Sequence, residues 1–223
     1  MEQPQQINNT SERLVDDLKS RLSTQSRISI AAASFSIYAF EAMKAELEKV
    51  EEMRFIFTSP TFVADKTKKE KREFYIPKLN RERNLYGTEF EIKLRNQLSQ
   101  KAIAKECAAW IRKKVKFKSN SSQEGMGGFL HLCDGEPSAL PVFDMNVPSK
   151  QHVYLPFDDF STTQLGCEKG NNVYTMVNVL PSPSAEAYLQ IFNQQWENDE
   201  KFKDVTARVL EYIETVYQEN APQ

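Results

Sequence analysis

Histidine, cysteine and glycine are scarce in this chain: 2, 3 and 7 residues among 223. Each scarcity narrows the chemistry available. Cys107, Cys133 and Cys167 are odd in number, far apart and at none of the spacings of a zinc site, which argues against a disulfide scaffold or a metal module. Cys107 reads as a structural thiol on the buried side of a helix. The one glycine cluster, "GMGG" at 125–128, has no lysine after it, and no G-x-x-x-x-G-K-[ST] loop exists elsewhere. ATP hydrolysis by this stretch of chain is therefore not expected, and no cofactor is implied for it. Also missing are G-x-S-x-G, H-E-x-x-H and C-x-x-C, the signatures of serine hydrolases, zincins and thioredoxin-like redox sites. No apolar run approaches the roughly 18 residues of a spanning helix. The start, "MEQPQQINNTSERL", has neither a basic leader nor an apolar signal core, so a cytoplasmic protein without membrane attachment is expected.

What is present is a soluble balance, 40% hydrophobic and 27% charged residues, long enough for one sizeable α/β domain. Residues 1–10 read as a disordered leader and 11–223 as a single domain. "SERLVDDLKSRL" repeats leucine every fourth residue, a helix with Ser11 as cap; "RISIAAASF" reads as a buried strand. "IYAFEAMKAELEKV" returns to helical period and "MRFIFTS" to strand. Helix, strand, helix, strand predicts a parallel pair joined by a crossover helix. Thr88 and Glu91 have capping-box spacing ahead of a helix. "GFLHLC", "HVYL" and "NVYTMVNVL" are short strand candidates. Ser182 and Pro183 suit the cap and first position of a helix whose Phe192 and Trp196 face the core. A last helix places Val205, Val209, Tyr212, Ile213 and Val216 on one side.

The near-neutral net charge of −2 conceals a strong asymmetry. Residues 66–118 hold 17 of the 29 Lys and Arg but only 6 of the 31 Asp and Glu. Such a block suggests a patch for nucleic acid or another polyanion. Eight of the bases fall in the aperiodic stretch 59–87, among them Lys68, Lys69, Lys71 and Arg72, and a long basic loop of this kind is either functional or a solvated insertion. On the helix that follows, Ile103, Cys107 and Ile111 form one stripe, with Lys101, Lys105 and Arg112 nearly opposite. Then "KVKFK" alternates: Val115 and Phe117 inward, Lys114, Lys116 and Lys118 outward, about 6.6 Å apart. That interval is near two phosphate rises of about 3.4 Å. The competing reading is that these lysines only protect an edge strand from pairing.

Of the two histidines, His131 stands in a strand before a loop, where a ring nitrogen could attack phosphorus if cations held the non-bridging oxygens. Asp158 and Asp159 read as a turn signal rather than an acid/base pair.

Taken in order, "RISIAAASFSIYAFEAMKAELEKVEEMRFIFTS", "YGTEFEIKLRNQL", "IAKECAAWIRKKVKFKSN", "GFLHL", "FSTTQLG" and "FNQQWENDEKFKDVTARVLEYIETVYQEN" resemble the phospholipase D-like domain that precedes the motor in bacterial DEAD/DEAH-type, superfamily II helicases. The resemblance implies an α/β fold with a mixed, largely parallel central sheet flanked by helices. It implies a helicase motor in cis beyond residue 223, which would bind ATP, and DNA as the partner, in restriction or phage defence. Active members of that family pair an H-x-K motif with a G-S-x-N-like element, two sets per site. Here His131 matches the histidine and Cys133 stands at the lysine position. Phe160, Ser161, Leu165 and Gly166 resemble the second element, but Pro156, Phe157 and Asp159 stand where glycine, serine and asparagine are expected. A single preorganised donor is worth about 3 to 4 kcal/mol in a transition state, so the resemblance implies a domain kept for binding. Two alternatives remain: a nuclease acting as a homodimer through His131, with Lys150 or Lys118 replacing the lost cation, and a scaffold for the motor.

Overall fold

Two faces of one strand explain the architecture. In β2 (Ser26–Ala32), Ile28, Ile30 and Ala32 alternate with Arg27, Ser29 and Ala31, and successive side chains of a strand leave on opposite sides. The first set joins a large apolar cluster and Ala31 joins a second, separate one. A computed structural model describes residues 2–59, 89–122, 124–135, 150–167 and 176–218, and β2 lies near the middle of its sheet.

Beside β2 on one flank run β4 (Glu52–Phe57), parallel to β2, and β5 (Val115–Asn120), parallel to β4. The crossover between β2 and β4 contains α2 (Ile37–Leu47), capped by the Ser36 hydroxyl, which accepts from the Tyr38 N–H. The parallel pair expected from the alternation of periods is present. On the other flank, β6 (Phe129–Asp134), β7 (Gln151–Leu155) and β9 (Val177–Pro181) follow in antiparallel order. The three-residue strands β1 (Gln5–Ile7) and β10 (Phe202–Asp204) close the two edges, giving β1-β9-β7-β6-β2-β4-β5-β10. β3 (Ser34–Phe35) and β8 (Asp159–Phe160) pair in a small separate sheet. The molecule is thus an α/β fold with a large mixed sheet flanked by helices. It is not largely parallel: only the two junctions around β4 are, because helical crossovers lie only on that side, and antiparallel neighbours need none.

The first face carries α1 (Leu14–Arg21), α2, α3 (Glu89–Lys114) and α5 (Thr206–Gln218), whose Leu18, Phe40, Ile111 and Val209 pack with Ile30, Phe55 and Phe117. The opposite face carries α4 (Ser184–Trp196), whose Ala185 and Phe192 cover Ala31, Ile56, Phe129 and Val153. Cys107, Cys133 and Cys167 form no disulfide, and burial raises the pKa of the Cys107 thiol far above its ordinary value.

Several local expectations are corrected. The leader read as disordered carries β1, because its backbone pairs with β9 and Ile7 is buried against the core. Ser11 does not cap α1. The Asn9 side chain does: Oδ1 accepts from the Leu14 N–H while Nδ2 donates to the Gln164 carbonyl, and the Val15 N–H donates to Leu165 O. The α4 cap position is Pro183 rather than Ser182. Tyr212 is exposed, while Val205, Val209 and Ile213 are buried as expected. Helix α3 begins at Glu89, beside the expected capping box, of which Thr88 lies outside the described residues, as does most of the basic stretch 59–87.

The glycine cluster has a packing explanation. At Gly128 a Cβ would collide with the backbone carbonyl of Phe157, whose own N–H donates to Gly128 O at 3.1 Å, whereas Gly125 and Gly127 face open space. Gly128→Ala should therefore cost about 1 to 3 kcal/mol in urea unfolding, and Gly125→Ala close to nothing; equal effects would contradict the close approach.

Candidate functional site

Side chains on the α4 face follow the strand register. One row runs Lys116, Arg54, Ser29, His131 and Val153 across β5, β4, β2, β6 and β7. The row on the side of the β2 N-terminus runs Glu52, Arg27, Cys133 and Gln151. The row on the other side runs Lys118, Ile56, Ala31 and Phe129; apart from Lys118 it is apolar, and it lies under α4. The covering helix thus divides this face into an apolar half and a polar half, with the Arg54 row at the boundary.

His131 is 1% exposed. Its Nε2 lies 3.1 Å from Gln151 Oε1, so the amide oxygen accepts the ring N–H. Burial lowers its pKa to about 4; the Gln151 hydrogen bond opposes this, while Arg54 and His152 add positive potential. The ring is neutral near pH 7 and shut away from solvent. Cys133, 2% exposed, projects from the same side of β6 two residues on, and its thiol, raised by burial, donates to Gly135 O. A sealed neutral imidazole beside a thiol lacks the access to substrate that phosphoryl attack requires.

The second element does not join this site. Asp159 accepts from Ser34 Oγ at 2.7 Å, and the Asp158 carbonyl accepts from the Ala33 N–H. His131 makes no hydrogen bond to that segment. His152, on the other face, sits between Arg21 Nη1 at 2.9 Å and Glu2 Oε1 at 3.0 Å. Neither a protein-family model nor a curated protein sequence matches this chain.

The basic residues chosen from sequence are not brought together. Lys101, Lys105, Arg112 and Lys114 belong to α3, in the helical layer on the first face. Lys116 and Lys118 project from the opposite face. Lys114 is the last helical residue, not a strand residue, so the comb of three lysines reduces to two. Arg112 pairs with Glu214. Lys118, with a side chain only 12% exposed, pairs with Asp199, donates to Trp196 O at 2.6 Å and lies 5.2 Å from the Trp196 ring. These contacts hold Asp199 below the ordinary carboxylate range. Lys101, Lys105, Lys114 and Lys116 are left as cations facing solvent wholly or in part, with no ion pair among the described residues. β10 pairs with the C-terminal half of β5, Lys118 included, so edge protection is not what Lys118 does. Lys68, Lys69, Lys71 and Arg72 lie outside the described residues. Lys150 is exposed and its backbone carbonyl accepts from Asp134 N.

Sequence reasoning missed Arg54. Its signal was the alternation in "MRFIF": with Met53, Phe55 and Phe57 facing one core, Arg54 had to emerge on the other side with Ile56. Its guanidinium lies 5.0 Å from the Phe192 ring and 5.6 Å from Trp196, and Nη2 donates to Ser29 Oγ at 3.0 Å. Among the described residues no group of three His, Cys, Asp or Glu side chains comes together as a metal site, and no helix is long and apolar enough to cross a membrane.

Proposed function

We propose that the chain is a degenerate phospholipase D-like domain that binds nucleic acid, most naturally DNA, and serves a helicase motor in cis without phosphodiesterase activity of its own. The observation that carries the reading is His131, 1% exposed and held by Gln151, with Cys133 where a phosphate-holding cation would stand. A second copy of the chain would bring another sealed ring of the same kind, and Lys118 is committed to Asp199 and Trp196. The large mixed sheet between helical layers is compatible with the fold that the sequence resembles. Binding is carried by the cations left facing solvent, Lys101, Lys105 and Lys114 on one side and Lys116 on the other, together with the bases of the stretch 59–87. Contacts of this kind go to phosphates, so they confer affinity with little sequence discrimination. The place of action is the cytoplasm.

Fluorescence anisotropy with labelled single-stranded and duplex DNA tests this. For about four phosphate contacts, affinity should fall about 10²-fold between about 50 and 200 mM salt, and Lys101/Lys105→Ala should flatten the slope by about two contacts. Absence of binding at low salt would remove the reading. So would metal-independent cleavage of DNA that disappears in His131→Ala.

A further inference from the structure

Arg54 and Lys116 are register partners on adjacent strands and leave the sheet on the same side, with strand axes about 4.8 Å apart. Like charges placed directly opposite each other across two strands destabilise a sheet. The neighbouring cations on this face are neutralised: Arg27 by Glu51 and Lys118 by Asp199. Arg54 and Lys116 have no carboxylate within ion-pair distance among the described residues. Glu52 and Glu197 act on Arg54 only from farther away.

The Arg54 side chain is half-buried, and its fork is fixed in place by the Phe192 and Trp196 rings and by Ser29. Its remaining N–H donors have no acceptor among the described residues. Ser29 is 3% exposed, and its hydroxyl accepts from Arg54. A hydroxyl can also donate one proton, and that proton has no acceptor among the described residues. Two uncompensated cations and a buried hydroxyl with a spare donor thus lie in one register row across three adjacent strands, on one face of the sheet. A planar guanidinium fork beside an ammonium matches the oxygens of a phosphate group.

We propose that Arg54, Lys116 and the Ser29 hydroxyl form a binding site for one phosphate group, with Phe192 and Trp196 as the wall that holds Arg54 in position. The identity of the phosphate as part of a nucleic-acid backbone rests on the reading above; the site itself does not. A backbone phosphate and free inorganic phosphate share the chemistry the site recognises.

Tryptophan fluorescence reports on it. Trp196 borders the site, while Trp110 is 3% exposed against α2 on the other face, its Nε1 donating to Leu47 O. Inorganic phosphate, titrated at constant ionic strength against chloride, should produce a saturable change in the wild type. Lys116→Gln, which alters an exposed side chain and leaves the fold intact, should weaken it at least about tenfold, as should Arg54→Gln. Lys116→Glu should abolish it while raising the thermal midpoint without phosphate by roughly 1 to 3 °C, because a carboxylate then faces Arg54. No saturable change in the wild type, or a change retained in both Lys116 variants, would overturn the proposal. DNA anisotropy on the same proteins separates the two readings. DNA binding without a phosphate response leaves the nucleic-acid reading standing and removes this site. A phosphate response without DNA binding keeps the site and assigns it a small phosphate ligand. Displacement of labelled DNA by phosphate in the wild type, lost in Lys116→Gln, joins the two.

Discussion

Phe117→Ala is expected to lower the free energy of unfolding by about 3 to 5 kcal/mol, measured as a lower urea midpoint at unchanged slope. The ring is fully buried. It stacks on Phe57 at 5.7 Å, meets Phe35 edge-on at 5.2 Å and lies 5.4 Å from Phe55. These four rings weld β4 and β5 to the short β3 beyond the end of β2. Truncation removes the transfer energy of the ring and leaves a cavity that rigid aromatic neighbours fill poorly. Lys116→Ala, one residue away on the other face, should stay within about 0.5 kcal/mol. Comparable losses at both positions would mean that β5 does not alternate as described.

Stability should also fall by about 3 kcal/mol between about pH 6.5 and pH 4 through His131 alone. The folded-state pKa, lowered by burial from 6.5 to about 4, sets that window. Over this range the unfolded chain takes up a proton on the imidazole that the folded chain refuses. Acid therefore favours the unfolded state, and the loss levels off below about pH 4, where both forms are protonated. His131→Gln should flatten the stability profile across this interval. Unfolding curves at several pH values would show it, and an unchanged profile in the variant would place the titration on other groups. The same result bears on function, since an imidazole that resists protonation cannot serve as a general acid near neutrality.

Sequence periodicity was enough to place β2, α2 and β4 and to make the first two strands parallel, because each has a clean apolar repeat of its own. It also sorted Ile103, Cys107 and Ile111 from Lys101 and Lys105 correctly around α3. What periodicity cannot convey is which side of the sheet a neighbouring element occupies. Lys105 and Lys116 are only eleven residues apart, yet the helix carrying one packs on the face opposite to the other. Nor does local pattern show that Arg112 meets Glu214 and Lys118 meets Asp199, 102 and 81 residues away, so charge counts overstated the free basic surface. The same limit hid β1: two glutamines and one isoleucine form a strand only because β9 offers an edge to them. Arg54 was legible in principle, and was passed over because a single charge in an apolar run reads as an exposed position rather than as a half-buried one stacked on two rings.

The pairing of β1 with β9 spans 172 residues, as in the contact between Gln6 and Asn178, and it sets an order of events during synthesis. At roughly 5 to 20 residues per second, β1 must wait roughly 10 to 35 s for its partner to emerge from the ribosome. The β2-α2-β4 unit closes over a far shorter stretch of chain and can assemble in that interval. On this timing the growing polypeptide is expected to build its sheet from the middle outward, with Gln5–Ile7 joining only when Val177–Pro181 arrives to receive it.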